Sequence, residues 1–128
     1  ITGVALQVTA AGTTLGNCFV GLYDSSGTRV ALSADKSTEW QSSGYYEDAF
    51  TGTYAAAAGI YYVAILVGSG SAVTFARGST SNTANAGLTA AEGYRAGTSG
   101  TGQTALPSSI TLGSVTASSP PCYWVALY

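Results

Sequence analysis

The sequence predicts an all-β domain built as an antiparallel β-sandwich, and three observations carry that expectation. Helix signals are scarce: Met is absent, and Gly, Ser and Thr recur every few residues, which would interrupt nearly any long helix. Short apolar runs of strand length follow one another along the chain, and clusters of turn residues separate them. Seven or eight such strands imply two packed antiparallel sheets, with jelly-roll connectivity preferred and an immunoglobulin-like sandwich as the alternative. At 128 residues the chain has room for one domain with a real core and too little for two of ordinary size, so residues 1–128 are read as a single unit.

The elements follow in order. Val4, Leu6 and Val8 alternate with Ala5, Gln7 and Thr9, a period of two that puts three apolar side chains on the inner face of a first strand. A loop at 11–16 follows. Residues 18–23 and 28–32 then flank Asp24-Ser25-Ser26-Gly27, where Asp suits the start of a type I turn and Gly supplies the positive φ that closes a hairpin. Residues 33–43 are polar and read as a connection, although Trp40 within it needs burial or a partner surface. Residues 45–51 read as another strand. Residues 53–59, with four consecutive alanines, are too short for an independent helix and are taken as a loop packed against the sheet. The stretch 60–67 is the most apolar and is expected to be a central strand covered on both faces. Residues 72–76 give a short strand. The Gly, Ser, Thr and Asn-rich segment 78–102 carries a suggested helical turn near 82–88 and an extended piece around Tyr94; loops of that length are usually functional or disordered. Strands at 109–115 and 122–128, separated by a Ser/Pro turn at 118–121, end the domain. No internal repeat points to a solenoid or propeller.

Composition narrows the function. Only 8% of residues are charged, so the surface must be covered largely by Ser, Thr, Gly, Asn, Gln and Tyr, a coat more usual in secreted proteins and virion parts than in the cytosol. The net charge of -2, without any Lys/Arg cluster, gives counterion release from a polyanion almost nothing to work with, and nucleic acid is not expected as a partner. No apolar run approaches the roughly 20 residues a helix needs to cross a bilayer, so no membrane insertion is expected. The chain starts at Ile1, with neither an initiator Met nor a signal-like stretch, and is expected to be a C-terminal fragment or processed product of a longer chain.

Catalytic and metal-binding patterns are missing. There is no His, so a Cys/His zinc site is excluded and neither Cys nor Ser has its usual imidazole base. Glu47 and Asp48 are the nearest acid/base candidates, but adjacent strand residues point to opposite faces and cannot address one substrate. Asp35 and Glu39 share a loop without the spacing of an EF-hand. The chain is accordingly read as no enzyme, with no cofactor and no metal. Cys18 and Cys122 open two strand-like runs: they either form a disulfide closing a long loop or remain two buried thiols.

Aromatic residues are the better clue, with nine Tyr and two Trp. These side chains combine a flat apolar face with a polar handle suited to sugars or proteins. Tyr62, Tyr123 and Trp124 lie within apolar strands and are assigned to core or inter-chain packing. Trp40, Tyr45, Tyr46 and Tyr94 lie in or beside polar segments and are the candidate ligand-binding residues. Arg77 and Arg95 flank the long polar segment and could add bidentate hydrogen bonds to hydroxyls or carboxylates; surface ion pairs are the plainer alternative.

Several phrases together resemble a known group. They are Val20-Gly21-Leu22-Tyr23-Asp24 with Ser25-Ser26-Gly27-Thr28, Ser33-Ala34-Asp35, residues 55–62 (AAAAGIYY), Thr101-Gly102-Gln103-Thr104-Ala105-Leu106-Pro107, and Trp124-Val125-Ala126-Leu127. Over most of its length the chain resembles C-terminal domains of minor tail or tail-fibre proteins of actinobacteriophages. The phrases are structural, so they speak for fold and context more than for ligand. The resemblance implies an extracellular virion component at a tail tip or fibre, in contact with other tail subunits and with a host-surface glycan or protein. It also implies a homo-oligomer, a trimer being usual; the 46% apolar composition agrees with surface covered by neighbouring subunits. The leading expectation is therefore a receptor-binding module for a cell-wall glycan. The alternatives are a purely structural virion module (spacer, decoration or docking domain) and a secreted bacterial carbohydrate-binding domain attached to a hydrolase.

Overall fold

A computed structural model describes residues 1–78, 96–117 and 123–128. The strands are β1 (Gly3–Ala10), β2 (Gly16–Tyr23), β3 (Arg29–Leu32), β4 (Gly44–Ala49), β5 (Tyr62–Ser69), β6 (Thr74–Phe75), β7 (Gly97–Thr98), β8 (Thr116–Ala117) and β9 (Val125–Leu127). Among the described residues there is no α-helix, and every strand pair is antiparallel. The chain is an all-β antiparallel sandwich. In the first sheet β1 is central, with β4 along one edge and both β6 and β9 along the other. In the second sheet β2 lies between β3 and β5, and β7 and β8 form a separate two-stranded ribbon.

The alternation read from β1 sets the core. Val4, Leu6 and Val8 face inward and meet Cys18, Val20 and Leu22 of β2, and Trp40, Phe50 and Phe75 complete the cluster. Each of these side chains is buried, and their removal from water is the main favourable contribution to folding. The hairpin between β2 and β3 forms as its sequence dictates. Asp24 Oδ1 accepts hydrogen bonds from Ser26 N, Ser26 Oγ and Thr28 N at 2.9, 2.6 and 3.0 Å. Gly27 takes φ +82°, and a side chain there would collide with the Ile110 carbonyl. The hydrogen bonds from Ser26 and Thr28 hold the Asp24 carboxyl below its ordinary pKa.

Three expectations are corrected. The apolar stretch 60–67 forms β5, which is the outer strand of its sheet among the described residues, and not a central one. It is apolar on both faces because Val63, Ile65 and Val67 pack on the core, while its opposite face borders a strap at 96–107. The expected strand at 109–115 is instead an isolated bridge, Ser109 to Thr28, followed by a 3-10 turn at Leu112–Ser114. The alanine run does not pack on a sheet: Ala55 to Ala58 are all exposed. The suggested helical turn at 82–88, the extended piece at Tyr94 and the turn at 118–121 lie outside the described residues.

The strap closes over the outer face of the second sheet. Leu106 lies against Gly21, where a Cβ would intrude on its side chain at 2.8 Å. Tyr23 donates its hydroxyl to Pro107 O at 2.7 Å, Arg29 N donates to Ser108 O at 2.8 Å, and the Arg29 guanidinium bonds Leu106 O. Among the described residues the outer face of the first sheet has no such cover, and this asymmetry positions the candidate site.

Candidate functional site

Register alone assembles a platform on the outer face of β4, β1 and β9. Since Val4, Leu6 and Val8 point inward, Ala5 and Gln7 point outward. Glu47 and Ala126 stand opposite Ala5 on the two flanking strands, and Tyr45 stands opposite Gln7. Cross-strand partners share a face, so these side chains form one surface. Trp124, just before β9, is held by its backbone N–H, which donates to Ala76 O at 2.9 Å, and its ring leans toward Tyr45, with ring centroids 6.5 Å apart and planes at 50°. At the other end Tyr128 O accepts from Thr2 N at 2.6 Å, and the Tyr128 hydroxyl rests on Gly3, where any Cβ would collide with it. Gly3 thus leaves room for the hydroxyl end of the third ring.

The three rings are exposed: Tyr45 at 57%, Trp124 at 48% and Tyr128 at 43%. They surround an exposed carboxylate, Glu47, whose Oε1 accepts from the Tyr45 hydroxyl at 3.3 Å. Partial desolvation, followed by the charge of Glu47, raises both the Tyr45 and Tyr128 phenols above their ordinary pKa. Both hydroxyls therefore stay protonated at neutral pH. The surface offers flat apolar faces, hydroxyl donors, the Gln7 amide and one acceptor carboxylate, a set suited to holding a polyhydroxylated ligand.

Acid/base chemistry finds no pair here. Asp48, adjacent to Glu47, points to the other side of the sheet and is buried, its Oδ2 accepting from Trp40 Nε1 at 3.1 Å and its Oδ1 3.6 Å from Lys36 Nζ. Burial raises the Asp48 carboxyl above its ordinary pKa, and the opposing pull of Trp40 and Lys36 does not cancel it. Among the described residues no three potential ligands gather for a metal ion. Asp35 is occupied locally: burial raises its carboxyl, but hydrogen bonds from Ser37 and the Cys18 N–H outweigh that and leave it lowered.

An open cleft of about 690 Å³ lies between β5 and the strap, bordered also by Tyr123 and Val125. Among the described residues its lining holds no charged side chain, and the Tyr23 hydroxyl at its wall is committed to Pro107. Its polar side chains, among them Thr98, Thr101 and Gln103, belong mostly to the strap.

Of the residues predicted from sequence, Tyr45 lies on the platform and Trp40 does not. Trp40 is fully buried, on a 3-10 turn Glu39–Gln41 that plugs one end of the sandwich, with its indole N–H on Asp48 and its ring edge-on to Phe75 at 5.0 Å. A ring without accessible surface cannot stack on a ligand. Tyr46 is half-buried against the core and donates to Ser42 O at 2.9 Å, so it too is withdrawn from the outer face. Arg77 is exposed but sits opposite Tyr123 in an isolated bridge. Tyr94 and Arg95 lie outside the described residues. Cys18 is a buried thiol whose pKa is raised by burial, and Cys122 lies outside the described residues.

Sequence reading assigned Trp124 to packing, weighed Glu47 only as an acid/base candidate, and passed over Gln7 and Tyr128 as ligand-binding residues. The signal that finds them is the period of two: Gln7 is out of phase with Leu6 and Val8, and Trp124 is out of phase with Val125. Tyr123, also assigned to packing, does contact Phe75 at 5.6 Å but remains 47% exposed. No protein-family model, curated protein or solved structure matches the chain.

Proposed function

We propose that this chain is a non-enzymatic binding module that holds a saccharide on the outer face of β4, β1 and β9. Taken with the resemblance to actinobacteriophage tail domains, the saccharide is a host cell-wall glycan and the module is an extracellular part of a virion tail. The single observation that carries the reading is three exposed rings, Tyr45, Trp124 and Tyr128, gathered on one sheet face around polar groups. Pyranose rings present an apolar face that stacks on such surfaces, while their hydroxyls meet Gln7, Glu47 and the phenols. A shallow open platform gives weak affinity per copy, so attachment relies on several copies acting together, as a homotrimeric tip or fibre would provide.

A specific observation favours a second reading, the structural virion module. Leu127 and Tyr123 are exposed at 41% and 47%, and β5 ends its sheet among the described residues, so subunit contacts would cover apolar surface there. A binding screen of the domain against isolated cell walls and purified glycans separates the two. Retention by wild type that Trp124→Ala and Tyr45→Ala abolish, with sedimentation unchanged, supports the saccharide site. Loss of oligomerisation in the same variants, without any glycan binding by wild type, supports the structural role.

A further inference from the structure

Glu47 gives the platform a charge preference. Rings alone would accept almost any pyranose, neutral or anionic, but here a carboxylate stands among three of them. Among the described residues it accepts from the Tyr45 hydroxyl at 3.3 Å and pairs with no cation. Two of the described cations are engaged elsewhere, Lys36 with Glu39 and Asp48 at 3.4 and 3.6 Å and Arg29 with Leu106 O, and among the described residues no ion pair joins Arg77 to Glu47. A carboxylate so placed repels uronates and phosphodiester glycans. It attracts a protonated amine, and the negative faces of the neighbouring rings attract the same group.

Resting on the saccharide reading above, we propose that this face selects sugars bearing a free, protonated amino group over their N-acetylated and anionic counterparts. Glu47 accepts a charge-assisted hydrogen bond from the ammonium, and Tyr45, Trp124 and Tyr128 stack on the ring that carries it. Acetylation removes the positive charge and leaves only the stacking. The expected preference is roughly tenfold, the usual worth of a hydrogen bond to a charged group at an exposed site.

The test measures binding of the whole chain to three probes at one ionic strength: a fully deacetylated glucosamine oligomer, the N-acetylated oligomer of equal length, and a galacturonate oligomer. Wild type is expected to bind the free-amine oligomer roughly tenfold tighter than the N-acetylated one and the uronate least. Glu47→Gln should erase that preference while keeping the N-acetylated affinity, which also shows that the variant is folded. Equal binding of the first two probes, unchanged by Glu47→Gln but abolished by Trp124→Ala, would overturn the amine preference and leave the saccharide reading standing. Tighter binding of the uronate would overturn it as well. Failure of wild type to bind any of the three or any cell-wall glycan would remove both readings together.

Discussion

The two tryptophans of this protein pack against opposite faces of the same sheet and do opposite things. Trp40 lies under it, without exposed surface, edge-on to Phe75 and hydrogen-bonded to the buried Asp48 carboxylate. Trp124 lies on the outer side, half exposed, tilted against Tyr45. The first sits in a polar, loop-like stretch of sequence and the second in an apolar one, so local polarity points the wrong way for both. What decides burial is the face of the sheet and what covers it. The inner face meets the second sheet and stabilises the fold; on the outer face, among the described residues, Tyr45, Glu47, Trp124 and Tyr128 stay exposed.

That contrast breaks down if the inner ring proves dispensable. Trp40→Ala should cost about 3–5 kcal/mol, since it removes a fully buried indole and leaves Asp48 short of a donor; urea unfolding measures it, and a loss below about 1 kcal/mol would contradict the packing described. Adjacent residues on β1 sharpen the contrast without any change of element. Leu6→Ala should cost about 2–5 kcal/mol by the same assay, whereas Gln7→Ala should stay within about 0.5 kcal/mol of wild type.

Asp48 offers a test through pH. Its folded-state pKa is raised by burial above the ordinary value of 3.8, so the folded chain binds that proton more tightly than the unfolded chain. The associated stability is fully present below the unfolded pKa and is lost as pH rises through the folded one. The stability of wild type relative to Asp48→Asn should therefore fall between acidic and neutral pH. Unfolding curves of both proteins at each pH check the sign, and a difference that rises with pH would mean the Lys36 ion pair outweighs burial. The smallest expected stability effect is at the outer face. Trp124→Ala and Tyr45→Ala should leave unfolding within about 0.5 kcal/mol of wild type while abolishing retention on cell walls.

Much of the fold was legible in the chain. The alternation of Val4, Leu6 and Val8 and the Asp24–Gly27 turn each reflect short-range physics, and both formed where the pattern placed them. Long-range facts were not legible. A continuous apolar run such as 60–67 says that both faces of a strand meet protein, but not whether both of its edges pair, so β5 read as central when, among the described residues, it ends its sheet. Residues 109–115 carry strand-like side chains, yet they spend their backbone hydrogen bonds on the β2–β3 hairpin and a 3-10 turn. The site was half legible for the same reason. Tyr45 could be found from its own polar surroundings, but Trp124 and Tyr128 join it only because β9 pairs beside β1 from the far end of the chain.

With only two indole N–H groups in the chain, proton–nitrogen correlation spectra follow both tryptophans at once. Addition of solubilised cell-wall saccharide should shift the Trp124 indole signal in a saturable way and leave the slowly exchanging, Asp48-bonded Trp40 signal in place. A response at Trp40 with none at Trp124, or a saccharide that binds while neither signal moves, would contradict the assignment of the outer face as the binding site.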